Sequence, residues 1–237
     1  QWPLFRQSLP LGPFVTDFRF SFCPMRTLWI ARHGNRKDFA DPTWAATASR
    51  PHDPGLAPDG VAQSRKLGHR LQNAAIDRVL ASPFLRTIQT AHHVTHLTGH
   101  AVRLEPGLGE WRNPDWFDAP PSLLPEADLN GTFSRLRFDH APCHTAAYPE
   151  TKAESLRRIG ATGRCLADRF SEESLLLIGH GITVWGLLNG FFDDIADTGC
   201  PLASLTELVE DDQGWHLVRR NDVSHLDDGA QQADRMA

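Results

Sequence analysis

The sequence predicts an α/β fold: a mostly parallel central sheet with helices on both faces, a three-layer sandwich. Three observations lead there. Short apolar, strand-like runs alternate with helical segments along most of the chain, the pattern of strand–helix–strand units. The length of 237 residues suits one large α/β domain or two small ones, with a sizeable core in either case. The composition, 41% hydrophobic and 22% charged, is that of a soluble globular protein.

The elements follow in order. Residues 1–24 carry Trp2, Phe5, Phe14, Phe18, Phe20 and Phe22, broken by Pro3, Pro10, Pro13 and Pro24. They lack the clean apolar stretch and the small-residue cleavage site of a secretory signal. Met25 stands directly before the first strand-like run, so residues 25–237 are expected to form the domain and 1–24 an upstream extension. The other reading of 1–24 is an aromatic arm packed on the body or on a partner. Strand-like runs are Thr27–Ala31, Ile76–Ala81, Ala101–Leu104, Leu175–Ile178, Leu205–Val209 and Trp215–Val218. Pro58-Asp59-Gly60 opens a helix through Leu67 and Leu71, with proline near its first turn. A second follows Ser82-Pro83 with Ile88, Ala91, Val94 and Leu97 on one side. A third places Leu156, Ile159, Gly163, Leu166 and Phe170 on one face. Residues 111–150 are the exception, rich in proline and tryptophan and weak in periodicity. Such a long irregular insert is usually a lid or pocket wall.

Composition and charge exclude several functions. The net charge is −5 and no Lys/Arg block exists, a poor basis for binding nucleic acid or an anionic membrane. No apolar run reaches the ~18 residues needed to span a bilayer. Cys23, Cys143, Cys165 and Cys200 are far apart without a CxxC pair, which points to neither a zinc site nor a disulfide scaffold. A reducing cytoplasm is the compartment expected on that basis.

Ligands of open α/β sheets bind outside the carboxyl ends of the strands. Arg32-His33-Gly34-Asn35-Arg36 follows the first strand and Ser82-Pro83-Phe84-Leu85-Arg86-Thr87 the second. Gly107-Leu108-Gly109-Glu110-Trp111 follows the third, and Gly179-His180-Gly181 opens a helix behind the fourth. Three arginines, two histidines and one carboxylate are thereby expected in one crevice. Arginine meets a phosphoryl dianion bidentately and never deprotonates. A neutral imidazole can attack phosphorus without an activating base, giving a phosphohistidine and dividing one hard displacement into two. Glu110 is the expected proton donor to the leaving group, which requires its pKa to be raised by burial or by a nearby phosphate.

Taken together, Arg32-His33-Gly34, Ser82-Pro83-x-x-Arg86-Thr87-x-x-Thr90-Ala91, Glu105-Pro106-Gly107-Leu108-x-Glu110-Trp111 and Gly179-His180-Gly181 resemble the histidine phosphatase (phosphoglycerate mutase-like) superfamily. Arg36, Asp53-Pro54-x-Leu56-x-x-x-Gly60 and Glu110-Trp111 before a proline-rich insert resemble one branch of it. That branch holds the ubiquitin-associated and SH3-domain-containing tyrosine phosphatases and ecdysteroid-phosphate phosphatase. The resemblance covers roughly residues 25–225. It implies His33 as the phosphorylated nucleophile, Arg32, Arg36, Arg86, His180 and Gly181 as the phosphate pocket, and Glu110 as proton donor. It also implies no metal, no other cofactor, and the pairing of subunits into a homodimer. Ala57 stands where many relatives have a threonine able to cap the following helix.

Each residue also has a plainer reading. A lone His-Gly is usually a turn, Arg36 could be a surface arginine, and Glu110 has neighbours in Asp115 and Asp118. Trp111, Trp116 and Phe117 either wall an aryl- or sterol-sized pocket or pack the insert onto the body. His92, His96 and His100 have the four-residue spacing of a zinc site, yet no acidic ligand lies near and Gly99 should end the helix first. The expected function is a metal-independent phosphomonoesterase acting on a small-molecule or phosphoprotein substrate. A phosphoglycerate-type mutase is the second reading, opposed by Asn35-Arg36 after Arg-His-Gly. A catalytically weak phospholigand-binding adaptor is the third. Specificity is expected from residues 37–56 and 111–150.

Overall fold

The computed structural model describes residues 25–227, so residues 1–24 and the expectation of an extension there lie outside the described part. Strand β1 (Arg26–Arg32) leads through a one-turn helix α1 (Lys37–Ala40) to α2 (Pro58–Leu71), β2 (Arg78–Ala81), α3 (Leu85–Thr98) and β3 (Val102–Leu104). Within the insert lie α4 (Glu126–Thr132) and β4 (Leu136–Arg137). Then come α5 (Lys152–Arg169), β5 (Leu175–Gly179), α6 (Gly181–Phe191), β6 (Leu205–Asp211) and β7 (Gly214–Asp222). The seven strands form one sheet in the order β4-β3-β2-β5-β1-β6-β7. The five strands from β4 to β1 run parallel, whereas β6 and β7 join as an antiparallel pair at one side.

Period-two alternation divides the core. Trp29 and Ala31 of β1, Val79 and Ala81 of β2, and Leu176 and Ile178 of β5 face α2 and α3. Leu28, Ile30, Leu80, Leu175 and Leu177 face the opposite way, onto Ile159 and Leu166 of α5 and Leu187 and Leu188 of α6. Both faces of the central strands are thus covered, and they read as unbroken apolar runs for that reason. The Thr151–Glu154 capping box starts α5: the Glu154 amide donates to Thr151 Oγ1 at 3.2 Å and the Thr151 amide to Glu154 Oε2 at 2.7 Å. Ala57 opens α2 without a side-chain cap, and Pro58 occupies its first turn.

Two features differ from the sequence expectations. Strand β4 has only two residues, too few for alternation to reveal. Cys143 and Cys165 form a disulfide with Cα atoms 6.2 Å apart, although 22 residues separate them. The expectation of no disulfide was wrong because the return of the insert to α5 is a tertiary event; the case for a reducing compartment loses its premise with it. As expected from Gly99, α3 ends there in the left-handed region (φ 84°), before His100. Its Nε2 meets Ile76 O at 2.7 Å and its Nδ1 meets Thr98 Oγ1 at 2.9 Å, so His92, His96 and His100 do not converge. No helix among the described residues is long and apolar enough to cross a membrane.

Candidate active site

Parallel register brings the first part of the site together. Arg32 of β1 lies opposite Gly179 of β5, and Ala81 of β2 lies opposite Ile178. The residues that follow, His33, Ser82 and His180, therefore leave the sheet side by side. The His33 amide donates to Gly179 O at 3.0 Å, and His33 O accepts from the Ala203 amide at 3.0 Å. On its ring, Nδ1 is 2.7 Å from Gly34 O. A carbonyl only accepts, so Nδ1 carries the hydrogen and Nε2 keeps the free lone pair. Burial, then the charges of Arg86 and Arg32, hold the His33 pKa well below its usual value, so the imidazole is neutral at pH 7.

The loop after His33 is set by close backbone packing. A Cβ on Gly60, in the first turn of α2, would sit 2.0 Å from Asn35 O, and one on Gly34 would sit 2.4 Å from Gly60 O. Only glycine permits that approach. Asn35 is further fixed by Gln63 Oε1 on its amide (2.8 Å), and the Gly34 amide donates to Thr90 Oγ1 on α3 (3.2 Å).

Arg86 rises from the first turn of α3 and is 1% exposed. Its guanidinium lies over the Phe84 ring at 4.4 Å, and Nη2 donates to Glu110 Oε2 at 3.2 Å. Its Nε and Nη1 are buried without a hydrogen-bond partner, a costly state that an oxyanion would relieve. Burial lowers its pKa to about 10, which still leaves it charged at neutral pH. Arg32 donates through Nη1 to Cys200 O. His180 is fully buried; its Nε2 is 2.8 Å from Ser82 Oγ and its Nδ1 3.2 Å from Glu110 Oε2. Burial brings the His180 pKa down to about 4, despite the nearby Glu110 carboxylate. The His33 and His180 rings meet edge to face with centroids 5.4 Å apart.

Glu110 is the carboxylate that reaches this cluster. Its side chain is 7% exposed, whereas that of Asp118 is 90% exposed and Asp115 also lies in solvent. Burial pushes the Glu110 carboxyl up, but the His180 ring and the guanidiniums of Arg86 and Arg36 outweigh it and hold it well below the usual carboxylate range. The raised pKa expected from the sequence is therefore not met in this state: His180, Arg86 and Arg36 together outweigh burial. Arg36 also differs in detail. Its fork is engaged by Asp38 (Nε to Oδ1, 2.8 Å) and lies over Phe39 at 4.2 Å. It borders the site as part of an ion pair.

Two cavities meet at Glu110 and Trp116. One, of about 460 Å³, is lined among others by Arg36, Phe39, Pro51, His52, Arg86 and Phe117. The other, of about 100 Å³, is lined among others by Arg32, Trp111, Lys152, Gly181 and Trp185. Trp116 is exposed enough to serve as a wall, while Phe117 is buried and packs edge-on against His52. Trp116 and Phe117 both line the larger cavity. Gly181, at the start of α6, lies against the Arg32 guanidinium: a Cβ there would be 3.7 Å from Arg32 Cζ.

Sequence reasoning gave no role to Phe84 under Arg86, to Lys152 and Trp185 in the smaller cavity, or to Asp53. Asp53 is 2% exposed, and its Oδ1 accepts from the Leu85 amide at 2.7 Å, capping α3 from a distant loop. Its place in the Asp53-Pro54 motif was the available signal.

The model of the histidine phosphatase superfamily (branch 1) matches residues 28–223. The chain belongs to this superfamily. Its relatives include the ubiquitin-associated and SH3 domain-containing protein B of Mus musculus, 39% identical over 87 residues, which are 30% of this chain and 13% of that protein. The transcription factor tau 55 kDa subunit of Saccharomyces cerevisiae is 34% identical over 99 residues, 38% of this chain and 22% of that one. The chain thus spans less than a quarter of these curated relatives. Among solved structures, the ecdysone phosphate phosphatase of Bombix mori, in complex with tungstate, shares the fold with a TM-score of 0.69 at 20% identity, over 88% of this chain and 98% of that one.

Proposed function

We propose that this chain hydrolyses phosphomonoesters through a phosphohistidine on His33, without a metal. The observation that carries the proposal is a neutral, buried His33 with its Nε2 lone pair free, set among Arg32, Arg86 and His180. In the first step His33 Nε2 forms a bond to phosphorus, and the bond from phosphorus to the leaving oxygen breaks. Arg32, Arg86 and His180 meet the charge on the transferring oxygens. The leaving oxygen takes a proton from Glu110. A bound phosphoryl dianion supplies the condition for this: it sets negative charge against the guanidiniums that depress Glu110 and so raises its pKa. In the second step water attacks phosphorus, Glu110 accepts its proton, and His33 is released with inorganic phosphate.

The 460 Å³ cavity beside Glu110, with Phe39, His52, Trp116 and Phe117 on its walls, supports a leaving group that is aromatic or otherwise broad and apolar. Residues 37–56 and the insert supply those walls, which fits their expected role in specificity. Purified protein should hydrolyse p-nitrophenyl phosphate in the presence of EDTA, and His33→Ala should lose activity by ~10³-fold or more. Full activity in His33→Ala would sink the mechanism. A panel of phosphorylated metabolites and phosphopeptides ranked by kcat/KM should place aryl and apolar esters first.

A further inference from the structure

Glu110 has to reach both His180 and the leaving oxygen from a segment with little regular structure. After β3 the chain makes a 3₁₀ turn (Pro106–Leu108) and then enters the insert. The carbonyls of this segment are met by side chains from the helices behind it. Arg158, on α5, donates through Nη1 to Gly107 O at 2.7 Å and to Gly109 O at 3.3 Å, with Nη2 also 3.3 Å from Gly109 O. Nη2 is 3.5 Å from Glu110 O itself.

The segment beyond Glu110 is held by the same guanidinium at one remove. Glu150 pairs with Arg158 in a fork, Oε2 to Nε at 3.0 Å and Oε1 to Nη2 at 2.5 Å. Glu150 also accepts from the Arg112 amide through Oε1 (3.2 Å), and its backbone carbonyl accepts from Trp111 Nε1 (2.8 Å). Its amide donates to Arg112 O at 3.2 Å. One buried ion pair therefore grips the chain on both sides of Glu110, with side chains 7% and 4% exposed.

Stability alone is a weak reason for such a pair. Burying two charges costs several kcal/mol of desolvation per ion, and apolar replacements of similar volume are often as stable. What an apolar pair would lose is direction: a planar five-donor fork fixes several carbonyls at once, and a short glutamate side chain can reach only where its backbone is placed.

We infer that Arg158, fixed by Glu150, is the positioning residue that holds Glu110 in place as proton donor. This rests on the proposed phosphohistidine reading. Neither residue touches the phosphate cradle, so their loss should affect the step that needs a proton and spare the one that does not. Phenyl phosphate and p-nitrophenyl phosphate separate these, since both fit the same cavity while p-nitrophenolate leaves as a stable anion.

The experiment measures kcat/KM for both esters in the wild-type protein and in Arg158→Met, Arg158→Lys, Glu150→Gln and Glu110→Gln. Arg158→Met should lower kcat/KM for phenyl phosphate by ~10²-fold, as a misplaced catalytic group does, and for p-nitrophenyl phosphate by only about threefold. Glu110→Gln should show the same pattern, and Arg158→Lys should recover part of the phenyl phosphate activity. If Arg158→Met does not fold, Glu150→Gln decides the matter with a selective loss of roughly tenfold. Equal losses on the two esters, or no loss on either, overturn the positioning role. Activity retained in His33→Ala would instead overturn the reaction on which it rests.

Discussion

The strand-end cluster and the loop carrying Glu110 meet where Glu110 Oε2 lies 3.2 Å from both Arg86 Nη2 and His180 Nδ1, but they are built by different means. Arg32, His33, Ser82 and His180 extend from the ends of β1, β2 and β5, where register leaves little freedom: Arg32 is opposite Gly179 and Ala81 opposite Ile178. Backbone hydrogen bonds continue past the strands, with the His33 amide on Gly179 O at 3.0 Å and the Ser82 amide on Ile178 O at 2.9 Å. Beyond Glu105, whose amide still donates to Ala81 O at 2.9 Å, the loop to Arg112 has no ladder. It is held by buried side chains: Glu105 below it, Arg158 and Glu150 beside it, and Thr183 Oγ1 on Leu108 O at 2.9 Å. Glu105 also accepts from His140 Nε2 (2.9 Å) and the Cys143 amide (2.8 Å), which ties the far part of the insert to the same loop. Arg32, His33, Ser82 and His180 are thus fixed by the sheet, and Arg86 by the first turn of α3. Glu110 is fixed by long-range contacts from α5, α6 and the end of the insert.

That difference can be challenged from either side. The largest effect is expected in the cradle. Arg86→Gln removes the guanidinium over Phe84 and should lower kcat/KM on p-nitrophenyl phosphate by ~10²–10³-fold while the fold survives. A loss below about fivefold would show that Arg32 and His180 suffice and that Arg86 is mainly a partner for Glu110.

A smaller but still large effect should follow from the floor of the cradle. Gly60→Ala forces a methyl to within 2.0 Å of Asn35 O and must move the loop behind His33. We expect a loss of ~10²-fold on every ester, whatever its leaving group, with a stability cost of ~1–3 kcal/mol in urea unfolding. This uniform loss is the counterpart of the leaving-group-selective loss expected at Arg158; a selective loss at Gly60 would erase the distinction between the two regions.

The smallest effect on chemistry belongs to the disulfide. Replacing Cys143 and Cys165 by serine frees the insert's return to α5, and unfolding free energy should fall by about 2–4 kcal/mol. Turnover of p-nitrophenyl phosphate should stay at the wild-type level, because the cradle does not depend on that link. A drop in that turnover would mean the insert supports the cradle as well as the acid loop.

Legibility in the sequence follows the same division. The strand-end motifs at Arg32-His33-Gly34, Ser82-Pro83 and Gly179-His180-Gly181 announced the cradle because each functional residue is adjacent in sequence to the strand that places it. Glu110 was legible as well, since it lies a few residues beyond β3. Its ionisation was not: the depressed pKa comes from His180, Arg86 and Arg36, which the fold gathers from three other segments. Nor was the engagement of Arg36 by Asp38, where either residue alone reads as an ordinary loop charge. Arg158 gave no signal, because it sits beside the apolar face of its helix where a solvated arginine would also be written. Glu150, just before Thr151, gave none either.

The sequence by itself determined the layered α/β architecture and the chemical inventory of the cradle. Both depend on local periodicity and on residues next to strand ends, and short-range order of that kind is carried by neighbouring positions. Tertiary structure alone decided the charge state of Glu110, the Cys143–Cys165 link, and the Arg158–Glu150 grip on the acid loop. Those depend on burial and on distances between segments remote in sequence, where the field at a carboxyl or the reach of a guanidinium is fixed only after the insert has closed against α5.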